Sequence, residues 1–397
     1  MQFKLSERIT KPDFQGEFTS SILKAGASPD IISFAGGLPN PASFPVKEME
    51  RAVQKVLENN GVAALQYSTT EGYEPLRAFI AKRYEKMGVM DVKPCDIIIT
   101  NGSQQALDML SAVMLDPGDE VVVENPTYLA ALQSFHLYGP RVLPVELRTD
   151  GINCAELAAA LAAHQPKFMY IIPSFQNPTG LTYSPEVREK AAAIIAKSNL
   201  LLIEDNPYSE LRFTGDGGYS FGRYLGEQCC MLGTFSKVVS PGMRIGWICC
   251  RNEELRSKLL AYKMTEDLHT NIFCQMVLAQ YLADNDLDAH IDETKKLYKE
   301  KAEYMMACME KYMPEGVTFT SPEGGMFMWA TMPEGLRALD VYYAAIATGV
   351  AVCPGDPFYE YDRDVRTMRI NYSNSTDEKI EKGIKILGDT IRALMAK

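Results

Sequence analysis

The sequence has no apolar run close to the ~20 residues that a membrane-spanning helix needs. Its first residues, MQFKLSERIT, also lack the apolar core of a secretory signal peptide. These two absences argue against a membrane-spanning or secreted protein. We therefore expect a soluble protein of the cytoplasm.

Histidine is scarce, and cysteine motifs typical of metal sites are absent. The four histidines are scattered without the spacing of metal ligands, and the nine cysteines include no C-x-x-C pair. Two doublets, Cys229–Cys230 and Cys249–Cys250, lie in apolar runs, where a free cysteine behaves as a small hydrophobe. We predict buried, reduced thiols and no metal site.

The sequence has fewer basic than acidic residues. The sequence holds 40 Lys and Arg against 51 Asp and Glu, which gives a formal net charge of -11 at pH 7. A field of this sign repels phosphate groups and opposes nonspecific binding to nucleic acids and anionic membranes. We expect neither nucleic acid nor membrane as a partner.

The length of the chain predicts more than one domain. At 397 residues, it exceeds the size at which a single hydrophobic core keeps growing. We predict an N-terminal arm or small-domain segment over residues 1–45, a large domain over 46–290 and a C-terminal small domain over 291–397. After residue 250, a long amphipathic helical pattern followed by shorter elements indicates that this small domain is α+β.

Short apolar runs, polar only at their ends, alternate with helical patterns in the first part of the large domain. Such runs are typical of strands that are covered on both faces. They predict an α/β fold with a mostly parallel, doubly wound sheet. The runs are DIIIT (96–100), EVVVE (120–124), KFMYIIP (167–173), NLLLIED (199–205), CCMLGTF (229–235) and RIGWICC (244–250).

Polar motifs begin where these apolar runs end. A parallel sheet would bring them together at one edge, where ligands of doubly wound sheets bind. One of them ends in Lys237, and a lysine used as a nucleophile needs a fixed position and a lowered pKa, whereas a surface lysine does not. The motifs are NGSQQAL (101–107), NPTY (125–128), FQNPTG (175–180), EDNPY (204–208) and TFSK (234–237).

In their order and spacing, N-P-T-G, D-x-x-Y and S-K-x-x-x-P-G-x-R resemble the motifs of class I/II pyridoxal-phosphate aminotransferases of fold type I. The resemblance runs from SFAGGLP (33–39) to TMRINYS (367–373), and within the family the chain resembles the 2-aminoadipate and aromatic aminotransferase subgroup. It implies pyridoxal 5'-phosphate as cofactor, a homodimer, and transfer of the amino group from an L-amino acid to a 2-oxo acid such as 2-oxoglutarate.

The resemblance assigns catalytic roles to three side chains. Lys237 would form the internal aldimine with the cofactor and later carry the proton. Asp205 would pair with the pyridine nitrogen and keep it protonated. Tyr208, together with Asn177, would bond the phenolic oxygen of the cofactor.

The resemblance also assigns the remaining cofactor contacts. The NGSQQ turn would present the N–H groups and positive dipole of a helix N-terminus to the phosphate, although the same turn serves as a plain helix cap. Tyr128 would stack on the ring, although an aromatic residue after a strand is more often core. The proposed phosphate ligands are Ser103, Gln104, Thr234, Ser236 and Arg244, joined by Tyr67 from the partner subunit.

For the substrate, the resemblance implies that Arg369 binds the α-carboxylate, with Gly37 and Asn177 completing the site. A structural salt bridge is the alternative for this arginine. Thr19, Ser20 and Ser21 stand where some 2-aminoadipate enzymes carry an arginine for a distal carboxylate, which argues against a strict dicarboxylate preference.

Two other functions use the same fold. A β-lyase would share all of the motifs, so the sequence discriminates poorly between it and an aminotransferase. The effector-binding half of a GntR-type transcription regulator is less favoured, because such a regulator needs an N-terminal winged helix and the first motif here begins at Ser33.

Overall fold

The computed structural model describes residues 3–10, 13–28 and 30–396, and these form two main sheets surrounded by helices. The strands of this part of the chain are β1 (Ile32–Ser33), β2 (Ile97–Asn101), β3 (Glu120–Asn125), β4 (Arg141–Arg148), β5 (Gly151–Ile152), β6 (Phe168–Ile171), β7 (Leu201–Asp205), β8 (Cys229–Thr234), β9 (Ile245–Cys250), β10 (Thr318–Phe319), β11 (Phe327–Thr331), β12 (Val350–Ala351), β13 (Cys353–Pro354) and β14 (Thr367–Asn371).

Helices fill the connections between these strands. They are α1 (Glu7–Thr10), α2 (Phe14–Ala27), α3 (Val46–Ala64), α4 (Glu74–Arg83), α5 (Gly102–Met114), α6 (Leu129–His136), α7 (Cys154–Ala163), α8 (Pro185–Ile195), α9 (Gly222–Leu225), α10 (Glu253–Glu266), α11 (Ile272–Asp284), α12 (Leu287–Tyr312), α13 (Ala338–Ala347) and α14 (Asp377–Met395). None of the helices in the described ranges is both long and apolar enough to cross a membrane.

The larger sheet has the strand order β2-β9-β8-β7-β6-β3-β4-β5. Strands β4, β3, β6, β7 and β8 are parallel neighbours, whereas β9 runs antiparallel to both β8 and β2. All residues of β7 and β8 are buried, as expected for apolar strands covered on both faces. The predicted α/β fold with a mostly parallel, doubly wound sheet is confirmed.

Two strands of this sheet, β4 and β5, are missing from the sequence-based prediction. The sequence of β4, RVLPVELR, mixes exposed, half-buried and buried positions because it lies near the sheet edge, where β5 closes the order. A search for short runs that are apolar throughout therefore overlooks it. The cysteine doublets on β8 and β9 are buried and unpaired, as predicted, while Cys95 is exposed.

The smaller sheet has the order β10-β11-β14-β13 and is antiparallel. The N-terminal segment joins this part of the molecule, because β1 pairs in parallel with β12 and the N–H of Asn371 on β14 donates to the carbonyl of Phe34. Helix α12 extends across the predicted domain boundary between residues 290 and 291. The division into domains remains a prediction.

The strand directions place the predicted motifs at one edge of the large sheet. Strands β2, β3, β6, β7 and β8 all end at this edge, and the antiparallel β9 begins there. Arg244, which directly precedes β9, is therefore brought to the same edge as Lys237, which follows β8.

Candidate active site

A cavity of about 1680 Å³ opens at this edge. Every site residue predicted from the sequence lines it, apart from Tyr67. The lining residues from that set are Gly37, Ser103, Gln104, Tyr128, Asn177, Asp205, Tyr208, Thr234, Ser236, Lys237, Arg244 and Arg369.

Lys237 directs its amine to the N-terminal segment of the chain. Its Nζ donates a hydrogen bond to the carbonyl oxygen of Gly37 at 2.8 Å. Burial, together with the positive charges of Arg369 and Arg244, lowers the pKa of this amine to about 8. A larger fraction of the amine is therefore neutral near physiological pH than for a surface lysine, as a nucleophile requires.

Asp205 is the last residue of β7 and is buried. Its Oδ2 accepts a hydrogen bond from the hydroxyl of Tyr170 at 2.9 Å, whereas its Oδ1 has no partner among the described residues. Burial raises the pKa of this carboxyl to about 7. A buried carboxylate oxygen without a partner is costly, so a cationic N–H group in the cavity would be a stabilising partner.

Arg369 lies on β14 and reaches the cavity from the smaller sheet. Its Nη1 donates to Oδ1 of Asn177 at 2.7 Å, and its Nη2 donates to the carbonyl of Ala35 at 2.6 Å. The guanidinium also lies over the rings of Phe327 and Phe358, at 4.4 and 5.0 Å from their centroids.

No carboxylate among the described residues forms a salt bridge with Arg369, and its buried Nε has no hydrogen-bond partner there. The structural salt bridge considered above is thus not found in the described part of the chain. An arginine that is 5% exposed and has no internal counterion is suited to bind an anionic ligand.

The N-terminus of α5 faces β9 closely enough to exclude any side chain between them. A Cβ atom on Gly246 would lie 2.7 Å from the carbonyl carbon of Gly102 and 2.8 Å from the nitrogen of Ser103. Gly102 itself has φ +73, a conformation that favours glycine. Ser103 and Gln104, in this first helical turn, line the cavity, and the N–H groups of such a turn are typical ligands of an anion.

The hydroxyl and guanidinium groups around this turn are held in different ways. The hydroxyls of Thr234 and Ser236 are hydrogen-bonded to each other at 2.9 Å. Arg244 has a left-handed backbone with φ +56 and is exposed, with only long contacts of 3.3 and 3.4 Å to the carbonyls of Pro241 and Asn101. Its guanidinium is thus available to an anion.

The side chain of Gln104 makes a different contact from the one expected of a phosphate ligand. Its Nε2 donates to the hydroxyl of Ser134 at 2.7 Å and to the carbonyl of Ala130 at 3.2 Å, both on α6. The side-chain amide is therefore engaged with the neighbouring helix. The backbone N–H of Gln104, in the first turn of α5, is the group that this arrangement leaves for an anion.

Tyr128 and Tyr208 supply aromatic surface to the cavity. Tyr208 is buried and packs edge-to-face against Phe327, with 5.8 Å between ring centroids. Burial raises the pKa values of both tyrosines, so their hydroxyls stay protonated and can donate hydrogen bonds.

Tyr67 lies apart from the other predicted residues. Its side chain is 79% exposed and contacts the ring of His269 edge-to-face at 6.0 Å. The described residues of a single chain do not bring it to the cavity, so its assignment to a partner's site stays a prediction.

Two buried groups next to the site are missing from the sequence-based prediction. Tyr170, on β6, bonds Asp205, and Glu124, on β3, accepts hydrogen bonds from the hydroxyl of Tyr183 at 2.8 Å and from Nε2 of Gln176 at 3.1 Å. Burial raises the pKa of Glu124 to about 8. The available signal was a polar residue within an otherwise apolar run, as in KFMYIIP and EVVVE.

The chain matches known aminotransferases over nearly its whole length. The family described as aminotransferase class I and II matches residues 30–387. Aromatic-amino-acid aminotransferase 1 of Thermococcus litoralis is 41% identical over 100% of both chains. A kynurenine aminotransferase structure from Pyrococcus horikoshii, in complex with PMP, kynurenine and its product, has a TM-score of 0.92 and 38% identity and covers 99% of this chain and 98% of that one.

The chain is also similar to a solved structure that contains a cofactor adduct. The structure of LysN, the α-aminoadipate aminotransferase of Thermus thermophilus complexed with N-(5'-phosphopyridoxyl)-L-leucine, has a TM-score of 0.89 and 37% identity. It covers 99% of this chain and 100% of that one. The large sheet, the smaller sheet and the cavity between strand ends are thus those of a pyridoxal-phosphate enzyme of fold type I.

Within that class, the chain belongs to the class I and II aminotransferases. It is a pyridoxal-phosphate-dependent transaminase, which transfers an amino group between amino acids and 2-oxo acids. The unpaired Oδ1 of Asp205, the free N–H groups of α5 and the lysine amine are consistent with a cofactor that carries a ring nitrogen, a phosphate and an aldehyde.

The lowered pKa of Lys237 predicts an unusual reactivity profile. In protein stripped of cofactor, acetylation of Lys237 by a small anhydride should rise with pH to a midpoint near 8, because the neutral amine is the reacting form. Lys296, an exposed lysine paired with Glu293, has a raised pKa and serves as control. Mass spectrometry of peptides measures both sites, and coincident profiles would contradict the prediction.

Proposed function

We propose that Lys237, Asp205 and the N-terminal turn of α5 hold pyridoxal phosphate, and that Arg369 holds the α-carboxylate of the amino acid. The observation that carries this proposal is the juxtaposition, in one cavity, of a lysine amine with lowered pKa, a buried carboxylate oxygen without a partner and a buried arginine without a counterion.

Each side chain then has a defined task. Pyridoxal phosphate, when bound, supplies an aldehyde that takes up the amino group and a ring that withdraws electrons. Asp205 holds a proton on the ring nitrogen, and the hydroxyl of Tyr208 with the amide of Asn177 holds the phenolic oxygen. Ser103, Gln104, Thr234, Ser236 and Arg244 hold the phosphate, and Tyr128 covers the ring.

Lys237 also moves the proton. With the cofactor and an amino acid bound, its Nζ would be the group that accepts the proton from the substrate Cα and returns it during amino-group transfer. In the ligand-free chain, burial and the two arginines lower the pKa of this amine to about 8, toward the pH range in which an amine exchanges protons most effectively. Arg369 meanwhile fixes the α-carboxylate and so orients the Cα–H bond toward the amine.

For the donor, we propose aromatic and large apolar L-amino acids. The cavity lining includes Ile22, Leu38 and Leu129, and Thr19 contributes a neutral hydroxyl to it. The names of the relatives, which include aromatic-amino-acid and kynurenine aminotransferases, support this choice. Arg8 also lines the cavity and is available to the distal carboxylate of an acceptor such as 2-oxoglutarate.

A donor screen tests the proposed substrate class. Holoenzyme is mixed, without acceptor, with phenylalanine, tyrosine, kynurenine, leucine, glutamate and 2-aminoadipate, and the conversion of bound pyridoxal phosphate to pyridoxamine phosphate is followed by absorbance. Aromatic donors should convert the cofactor at the lowest concentrations, because the apolar lining stabilises their side chains.

One outcome of this screen, and one outcome of a separate assay with cysteine conjugates, would contradict the proposal. Preference for 2-aminoadipate over every aromatic donor would refute the substrate class, and release of pyruvate and ammonia from cysteine conjugates without acceptor would favour β-elimination.

Arg369→Ala should raise the required donor concentration at least tenfold with little change in cofactor binding. Arg366→Ala is the matched control, because Arg366 is bonded to the carbonyl of Met332 and is not among the lining residues.

We further propose that the enzyme works as a homodimer in the cytoplasm. Exposed apolar side chains near Tyr67 support a contact with a second copy, because large exposed apolar patches are typical of interfaces. Val62, Leu65 and Leu268 are 88%, 77% and 42% exposed, and Leu268 adjoins the His269 that Tyr67 contacts. The nine unpaired cysteines, all within the described residues, support a reducing compartment.

If Tyr67 serves the partner's site, two variants with lowered activity should complement each other. Lys237→Ala and Tyr67→Ala, coexpressed, would form mixed dimers in which one site has both residues intact, which should restore roughly a quarter of wild-type activity. Lys237→Ala coexpressed with Asp205→Asn is the control, because both residues belong to one chain's site and no intact site results. Activity equal to the sum of the separate variants would refute the shared site.

A further inference from the structure

Tyr170 makes a direct contact with the carboxylate that we assign to the cofactor. Strands β6 and β7 are parallel, with Tyr170 opposite Ile203. Side chains two residues apart on a strand share a face, so Asp205 lies on the same face as Ile203 and one step farther along. The long tyrosine side chain spans this step, and its hydroxyl donates to Oδ2 of Asp205 at 2.9 Å.

The surroundings fix both partners of this hydrogen bond. Tyr170 is fully buried and Asp205 is 3% exposed. The ring of Tyr170 packs edge-to-face against Phe135, with 5.6 Å between centroids, and Phe135 packs in the same way against Phe168 at 5.2 Å. The phenol therefore has little freedom to leave the carboxylate.

The contact divides the two oxygens of Asp205 between two tasks. Oδ2 is occupied by Tyr170, and Oδ1 is buried without a partner in the described part of the chain. Asp205 also lines the cavity, whereas Tyr170 is not among the residues that line it. A ligand in the cavity thus meets the carboxylate, but the phenol acts on the ligand only through that carboxylate.

We propose that Tyr170 is a positioning residue of the cofactor site, which orients Asp205 and stabilises it as an anion so that the proton stays on the cofactor's ring nitrogen. This inference rests on the proposed placement of that nitrogen at Asp205. A hydrogen bond donated to an anion favours the charged form of the acceptor. Without it, the buried carboxylate becomes more basic and draws the shared proton away from the ring.

The direction of the effect follows from the groups around Asp205. Burial already raises the pKa of its carboxyl to about 7, and the bond from Tyr170 works against this rise. Loss of one hydrogen bond to a charged group should increase the proton affinity of the carboxylate about tenfold or more. The ring nitrogen would then be less protonated and the ring a weaker acceptor of electrons.

The test observes the ring nitrogen itself. Full-length wild-type protein and Tyr170→Phe are loaded with pyridoxal phosphate labelled with nitrogen-15 in the ring, and the nitrogen chemical shift is measured. In Tyr170→Phe, the resonance should move from that of a protonated pyridine toward that of a neutral one. The turnover number should fall about tenfold with little change in KM for the amino donor, because the donor does not contact Tyr170.

Tyr183→Phe is the matched control. It also removes a phenol that donates to a buried carboxylate, Glu124, at 2.8 Å, but it leaves Asp205 untouched. Its ring-nitrogen resonance should match that of the wild type. If the nitrogen shifts equally in both variants, the effect is a general response of the core, and the role of Tyr170 is refuted.

Asp205→Asn distinguishes the failure of the proposed ring-nitrogen placement from the failure of the proposed role of Tyr170. If the nitrogen resonance is unchanged in this variant, the proposed placement of the ring nitrogen fails; if it changes in Asp205→Asn but not in Tyr170→Phe, only the role of Tyr170 fails. Should Tyr170→Phe not fold, para-aminophenylalanine at position 170 keeps the shape and donates a weaker hydrogen bond. Its resonance should move in the same direction, and a wild-type value would overturn the proposal.

Discussion

The common direction of five strands is the constraint on which the site depends. Strands β2, β3, β6, β7 and β8 end at the same edge of the large sheet, so the residues that follow them converge although they are far apart in the chain. Strands β7 and β8 are buried along their whole length, and the two charged residues of β7 lie at its end. The sheet therefore both positions the functional groups and separates them from the apolar core.

Convergence also brings like and unlike charges into one partly buried cavity. The guanidinium groups of Arg369 and Arg244 lower the pKa of Lys237 in addition to the effect of burial, while burial raises the pKa of Asp205. Both shifts favour neutral side chains in the absence of ligand, which reduces the cost of holding them away from water. An anionic phosphate, a cationic ring nitrogen and a substrate carboxylate would supply the missing counterions.

The sequence predicts that the residues which follow apolar runs lie at the edge of the sheet, because the apolar runs themselves form its buried strands. Asp205 ends the apolar run of β7, and Lys237 follows the apolar run of β8 by three residues, so their positions relative to the sheet edge follow from the hydrophobic pattern. Strand β4 could not be found in this way, because exposed and half-buried positions interrupt its sequence near the sheet edge. The antiparallel direction of β9, which brings Arg244 to the site, is likewise a property of the whole sheet.

The hydrophobic pattern of the sequence does not predict the directions of the side chains. The amide of Gln104 bonds α6, and Tyr170 bonds Asp205 across neighbouring strands, because rotamers respond to contacts that form only in the folded chain. The place of Tyr67 depends in addition on a second chain, since its side chain is exposed in the single subunit.

The attachment point of the cofactor tests the central claim most directly. Borohydride reduction of the holoenzyme makes the bond between the cofactor and its lysine permanent, and peptide mass spectrometry then identifies the modified residue. We expect the mass of the reduced cofactor on the peptide that contains Lys237. Modification of another lysine, such as the fully buried Lys263 that is bonded to Asp267, would contradict it.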